Sequence, residues 1–296
     1  MTVDLEATPL IALAIAIFAA STSAILVRWS AAPSSVAAFY RVLFTTVLVA
    51  PIALTRHRAA FARLSRRDFV GAVVAGVALA IHFAAWFESL SHTSVAASVT
   101  IVQVQPVFVA IGAGLFLGER INRATVVGIV VAITGAVAMS LGDTDHAALS
   151  GATVYGNTLA LLGAVTIACY TLAGRSIRQR VPVFPYVTVV YGACVAALFL
   201  LVGVQGHPYV GYPAREWILF LGLAVGPGVF GHTVSNWVLE HLESVVVSVA
   251  WLGEPVGATL LALVLLAEVP DAITIVGGVV VIAGVAVTTL DRERSG

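Results

Sequence analysis

The sequence predicts an all-α, polytopic membrane protein of ten transmembrane helices, arranged as two inverted five-helix repeats. Three observations predict it. Of 296 residues, 60% are hydrophobic and only 10% are charged, against roughly 25% charged in an ordinary soluble domain. The apolar residues gather into ten windows of the length a bilayer requires. A set of proline, glutamate and glycine positions in the first half returns, at an offset near 150 residues, in the second.

Composition excludes several classes. The mean hydropathy is +1.03, too apolar for a disordered chain or for a soluble enzyme that must present a polar surface. The 26 glycines follow no three-residue period, so the chain is not collagen-like. Its 15 basic residues are all arginine and are balanced by 15 acidic ones. With no net field, no nucleic-acid partner is expected. Cys169 and Cys194 lie in apolar stretches and read as small packing residues. The segment Met1–Pro9 carries Asp4 and Glu6 but no basic residue, so the first apolar run reads as a retained helix and not a cleaved signal.

The apolar windows fall at about 10–28, 34–54, 69–88, 95–118, 124–140, 155–174, 185–203, 217–238, 244–267 and 271–289. They are longer and less alternating than barrel strands. Backbone groups cannot go unpaired in lipid, so such runs are helices. The connections between them are too short to hold a soluble domain.

Arginine placement orients the bundle. Arg56, Arg58, Arg63, Arg66 and Arg67 follow the second window, Arg120 and Arg123 the fourth, and Arg175, Arg178 and Arg180 the sixth; Arg292 and Arg294 lie in the tail. With ten spans all of these share one side, and the opposite connections hold only Arg28 and Arg215. The positive-inside rule then places both termini in the cytoplasm.

The repeat is legible as spacing. SVAAS at 94–98 returns as SVVVS at 244–248, followed by Pro106 and Pro255. Each proline precedes a glutamate (Glu119, Glu268), then a glycine (Gly128, Gly277), then a second glycine (Gly135, Gly284), at identical spacings. An odd number of spans per half inserts the halves with opposite orientation, the plan used for alternating access. The expected units are 1–141 and 142–296.

These halves resemble EamA domains of the drug/metabolite transporter superfamily. The resemblance rests on PSSVAAFYR at 33–41, SVAASVTIVQVQPVFVA at 94–110, LGER at 117–120 and GEPVGATLLALVLLAE at 253–268. The second half departs from the pattern by reading LAEVP where the first reads LGER. The resemblance implies a secondary carrier exporting amino acids, other small metabolites or drugs. It also implies a structural role for Glu119 and Glu268 at helix ends.

Polar residues inside the spans are the candidates for function, because burying them in a bilayer is costly. Arg41 lies about seven residues into the second span, roughly 10 Å deep at 1.5 Å per residue. It either snorkels to the outer interface or pairs with backbone carbonyls, or it acts in substrate binding or gating, and Tyr40 beside it points to another face. Glu254 sits halfway along the ninth span, directly before Pro255. A proline there breaks the helix and frees a carbonyl. The acid either stabilises the kink or lines a cavity where a proton can neutralise it. Pro106, in the matching span, has Gln103 and Gln105 as neighbours instead.

His82 and Trp86 share a helix face, from which Glu88 diverges. His232, Asn236 and Glu240 recur every four residues toward the cytoplasmic end, and Trp251 shares a face with Glu254. Each of these lines a cavity or packs between helices. Ser21, Thr22, Ser23 and Ser98 read as helix-to-helix glue. Ala72, Gly76 and Ala80, and likewise Ala110, Gly114 and Gly118, read as close-packing stripes.

No H-E-x-x-H, C-x-x-C, G-x-S-x-G or lysine-containing phosphate loop is present. No metal, no cofactor and no catalytic residue is therefore expected. The expected function is export of small metabolites or amino acids across the cytoplasmic membrane, with a proton as candidate coupling ion. A flippase for lipids or lipid-linked intermediates, an integral-membrane enzyme and a scaffold without flux are the rival readings. The oligomeric state is left open.

Overall fold

The computed structural model describes residues 7–89, 92, 98, 101–142, 151–266 and 272–293. Every regular element among them is helical. In order they are α1 (Ala7–Trp29), α2 (Ser34–Arg56), the short α3 (Arg58–Ala62) and α4 (Arg66–Ser89). Next come α5 (Gln105–Gly112), continued by a π turn at Ala113–Leu117, α6 (Arg123–Gly142), α7 (Gly151–Arg178) and α8 (Val183–Val204). Then α9 (Ala214–Leu223) runs through a π segment, Ala224–Thr233, into α10 (Val234–Val238). Finally α11 (Ser244–Ala250), a 3₁₀ turn at Trp251–Gly253 and α12 (Glu254–Leu266) form one broken rod, followed by α13 (Ala272–Glu293).

Among the described residues, seven helical rods are long and apolar enough to cross a membrane. Three more apolar helices, Gln105–Leu117, Arg123–Ala138 and Ala272–Thr288, are shorter. The protein is thus an all-α, multi-pass membrane protein. The SVAAS run, except Ser98, and Glu268, Asp145 and Arg294 lie outside the described residues.

Helix starts follow local chemistry. Ser65 accepts the Asp68 N–H at 3.0 Å while its hydroxyl donates to Asp68 Oδ2 at 2.6 Å, a reciprocal cap on α4. Asn122 Oδ1 accepts the Thr125 N–H at 2.8 Å at the start of α6. Pro106 and Pro255 both sit in the first turn of a helix, where the missing N–H costs nothing. The break therefore lies before each proline. At Pro255 the expected free carbonyl is not free: Trp251 O accepts the Glu254 N–H through the 3₁₀ turn. Glu254 O is in turn 2.9 Å from Ser21 Oγ of α1.

The core joins α2, α4, α7 and α8, with Tyr186, Tyr191, Phe83 and Leu198 wholly buried. Gly76 lets α8 approach: a Cβ there would lie 2.3 Å from Val190 O. The stripe read at Ala110, Gly114 and Gly118 fails. The π turn shifts the register, so Gly112 and Ala113 face inward and Gly114 is exposed. Gly118 has φ 68° and ends the helix in the left-handed conformation. Cys194 is buried as expected but Cys169 is exposed, and both are free thiols.

The α6–α13 pair is a second close approach. A Cβ on Gly284 would lie 2.5 Å from Ala132 N and 2.7 Å from Gly128 O. One on Gly135 would lie 2.6 Å from Val281 N and 2.7 Å from Gly277 O. Backbone meets backbone here, so no side chain can yield. Gly284→Ala is expected to destabilise by about 1–3 kcal/mol, read as a lower melting temperature in detergent. Gly192→Ala is the control, since nothing lies within 4 Å of its Cβ position. Equal melting of the two variants would refute this packing argument.

Candidate functional site

A cavity of about 110 Å³ lies between the helices, several times the roughly 10–15 Å³ needed to seat one water. Arg41 from α2, His82 and Trp86 from α4 and Gln103 from the turn before α5 line it. So do His232, Asn236, Trp251, Glu254 and Pro255 from the second half. Pro106 does not, although its neighbour Gln105 does. Residues scattered over more than 200 positions of sequence therefore meet in one space.

Arg41 is 3% exposed. Its Nη1 donates to Ser23 Oγ at 3.3 Å, and its guanidinium carbon lies 4.4 Å from the centre of the Phe83 ring. That cation–π contact and one hydroxyl hold the side chain while the other guanidinium donors remain for the cavity. Ser23, read from sequence as glue, is thus a wall residue and a partner of Arg41. Ser21 and Thr22 do bond to the preceding turn, at 2.9 Å and 2.6 Å. Ser98 Oγ meets Ser89 Oγ at 2.5 Å. Tyr40 points away from Arg41, into a cluster with Trp217 and Phe220, and donates to Tyr209 O.

Across the cavity, the Glu254 carboxylate forms no ion pair and no side-chain hydrogen bond with any described residue. Nor does Arg41 form an ion pair. One basic and one acidic side chain thus line the same space without an ion pair between them. The kink-locking reading of Glu254 receives no contact from its carboxylate; its backbone carbonyl makes the bond to α1.

The aromatic wall is ordered by stacking. His82 stacks on Trp86 at 5.8 Å and 23°, and its Nδ1 is 2.9 Å from Gly163 O. A carbonyl can only accept, so Nδ1 carries the hydrogen and Nε2 is the acceptor of the neutral ring. His232 lies 5.1 Å from Trp251 and 6.0 Å from Tyr170, ring centre to ring centre. Glu88 turns elsewhere, to His92 at 3.0 Å.

Beyond Asn236 one end of the cavity is cross-linked. Arg178, 1% exposed, donates to Asn236 O at 2.9 Å, to Val181 O and to Glu240 Oε2. Glu240 therefore leaves the polar stripe to hold Arg178 and does not line the cavity. Arg175 donates to Leu239 O at 3.0 Å and pairs with Glu119 at 3.3 Å. Glu119 accepts the Ser244 N–H at 3.0 Å and its hydroxyl at 2.9 Å, capping α11. Its contacts are structural, as the resemblance implies. Arg180 reaches Asp68 at 2.6 Å on the same end.

Sequence reading missed Tyr170, Thr171, Ser235 and Ser248 as wall residues. Tyr170 carried a signal: a phenol within a long apolar run needs a partner, and it accepts from Asn236 Nδ2. The serines carried none, since a lone hydroxyl can bond back to its own helix.

The chain is thus an all-α membrane bundle around a cavity with ionisable and aromatic walls. The EamA-like transporter family matches residues 7–141 and again 154–290. The chain belongs to that family; it is a transporter and not an enzyme. It is similar to the pseudopaline exporter CntI of Pseudomonas aeruginosa, at 29% identity with 100% of each chain covered. It is also 28% identical to the "probable terminal-alkyne amino-acid exporter" of Streptantibioticus cattleyicolor, over 69% of this chain and 68% of that one. The uncharacterized transporter YxxF of Bacillus subtilis is 24% identical over 88% of this chain and 83% of its own. One protein of known crystal structure shares the fold, with a TM-score of 0.81 at 22% identity over 97% of this chain and 98% of that one.

Proposed function

We propose that this transporter exports a small zwitterionic solute of the amino-acid class across the cytoplasmic membrane by alternating access. The observation that carries the reading is the cavity shared by Arg41 and Glu254, neither of which is in an ion pair among the described residues. A guanidinium suits a carboxylate, and a carboxylate suits an ammonium. A solute carrying both groups neutralises both walls at once. That two relatives are named as exporters, one of them of an amino acid, agrees with this.

Ten spans in two inverted repeats, 1–141 and 142–296, with both termini cytoplasmic, complete the proposal. The family model matching once in each half supports it. So does the α6–α13 contact. The repeat carries Gly128 onto Gly277 and Gly135 onto Gly284, and the contacts run Gly128 to Gly284 and Gly135 to Gly277. Each contact is the image of the other under the repeat. In this orientation the Arg175, Arg178 and Glu119 network closes the cytoplasmic end, and it must open for solute to enter. A proton and the solute ammonium compete for Glu254, which couples their opposite movements.

The test is counterflow with purified protein in liposomes, amino acids being tried first. Flux is expected to saturate and to accelerate when solute is present on the opposite side. Linear, unsaturable flux at channel rates would overturn alternating access.

A further inference from the structure

The arginines at one end of the bundle fall into two groups. Arg175, Arg178 and Arg180 each meet a carboxylate, on Glu119, Glu240 and Asp68 respectively. Arg56, Arg58, Arg63, Arg66 and Arg67 are all exposed, and none of their side chains makes an ion pair or a hydrogen bond with any described residue. Residues 56–67 include no acid. The next acid, Asp68, is already held by Arg180 at 2.6 Å and by Ser65 at 2.6 Å. Five positive charges thus crowd one short connection with no counter-charge inside it, and they repel one another unless anions lie among them.

The connection is pinned to the bundle. Arg56 ends α2, Arg58 begins α3, and Arg66 and Arg67 open α4. The His57 ring lies 5.6 Å from that of Phe184 on α8, and Leu64 packs against the core. Beside the arginines the same two helices turn apolar. Ile52 and Leu54 near the end of α2, and Phe69 and Val70 near the start of α4, are exposed. Both helices are long and apolar enough to span a bilayer. The charged collar therefore sits at headgroup height and the exposed apolar residues at the depth of the acyl chains.

We infer that the 56–67 connection is a binding surface for anionic lipid. Its arginines pair with lipid phosphates, and Ile52, Leu54, Phe69 and Val70 contact the acyl chains. The guanidinium fork matches a phosphate in geometry as well as charge. Basic residues beside a span attract anionic lipid by amounts that accumulate with each residue. A free phosphate would engage the arginines alone, whereas a lipid also covers the apolar band. Only the crossing of the bilayer by α2 and α4 is required, so the surface is independent of which solute the cavity holds.

The test follows the melting temperature of purified protein in neutral detergent during titration with phosphatidylglycerol, phosphatidylcholine or inorganic phosphate. Phosphatidylglycerol is expected to raise it by about 3–6 °C more than phosphatidylcholine does, and inorganic phosphate to leave it nearly unchanged. Raising the salt from about 0.1 M to about 1 M is expected to shrink the difference, because the screening length falls from about 10 Å to about 3 Å. Replacing all five arginines (Arg56→Gln, Arg58→Gln, Arg63→Gln, Arg66→Gln and Arg67→Gln) should abolish the difference while preserving melting in phosphatidylcholine, since these side chains hold no partner in the bundle. Arg215→Gln is the control. It is exposed at the opposite end, where Tyr40 at the start of α2 meets Trp217, and it should keep the full shift. If the fivefold variant does not fold, Arg58→Gln combined with Arg63→Gln takes its place and should reduce the shift. Equal shifts by the two lipids in the wild type would overturn the proposal. A matching shift from inorganic phosphate would assign the arginines to a soluble anion instead, and a shift that survives their replacement would place the lipid elsewhere; either result overturns it.

Discussion

Arg41→Gln is expected to remove high-affinity solute binding while leaving the bundle folded. The guanidinium is held by Ser23 and Phe83, and its remaining donors have no anionic partner among the described residues. Its loss leaves the solute carboxylate buried without a counter-charge. Truncating one member of a buried charge pair costs about 2–5 kcal/mol, so affinity should fall by a factor of roughly 30 to several thousand. Arg41→Lys keeps the charge but loses the planar fork and the flat stacking on Phe83, so it should recover only part of the loss. Half-saturation in counterflow reads the effect, and melting in detergent reads the fold. An Arg41→Gln protein that saturates at the wild-type concentration would show that Arg41 only braces α2 against α4.

Glu254→Gln is expected to uncouple transport. Glutamine preserves size and hydrogen-bonding capacity and removes the ionisable group. The carboxylate has no ion pair or side-chain bond to lose among the described residues, so the variant should fold. Each coupled proton lets a one-unit pH gradient sustain about a tenfold solute ratio, since one pH unit corresponds to about 1.4 kcal/mol. In vesicles bearing such a gradient the wild type should approach that ratio for each proton coupled. The variant should equilibrate near one while still exchanging solute for solute. Glu254→Ala should behave similarly in transport and leave the melting temperature nearly unchanged, because the bond to Ser21 uses the backbone carbonyl. Gradient-driven accumulation that survives in Glu254→Gln would move coupling to His82 or His232. Both rings line the same cavity.

Much of the site was legible because the bilayer makes polar residues conspicuous. Arg41, His82, His232, Asn236 and Glu254 stood out as costly residues within apolar runs, and all of them line the cavity. Pro106 and Pro255 marked the broken rods, and the breaks lie in the turn before each proline. What escaped was whatever depended on register. Gly114 falls inside the π turn at Ala113–Leu117 and is exposed, and Glu240 lies past the end of α10 at Val238, at the rim.

The sequence by itself determined that the chain is helical, multi-pass and internally duplicated. Those properties follow from apolar run length and repeated spacing, which are local and additive along the chain. It also determined which polar residues required an explanation. Only the tertiary structure decided how each was explained, because that depends on partners far away in sequence. Glu119 and Glu254 are both carboxylates near breaks in a helix. Glu119 meets the open N-terminus of α11 and Arg175, and is consumed by capping and pairing. Glu254 meets a cavity and keeps its carboxylate free of side-chain bonds among the described residues. Hydrogen-bond satisfaction is a property of the assembled interior, and no spacing along one helix specifies what the facing helix will supply.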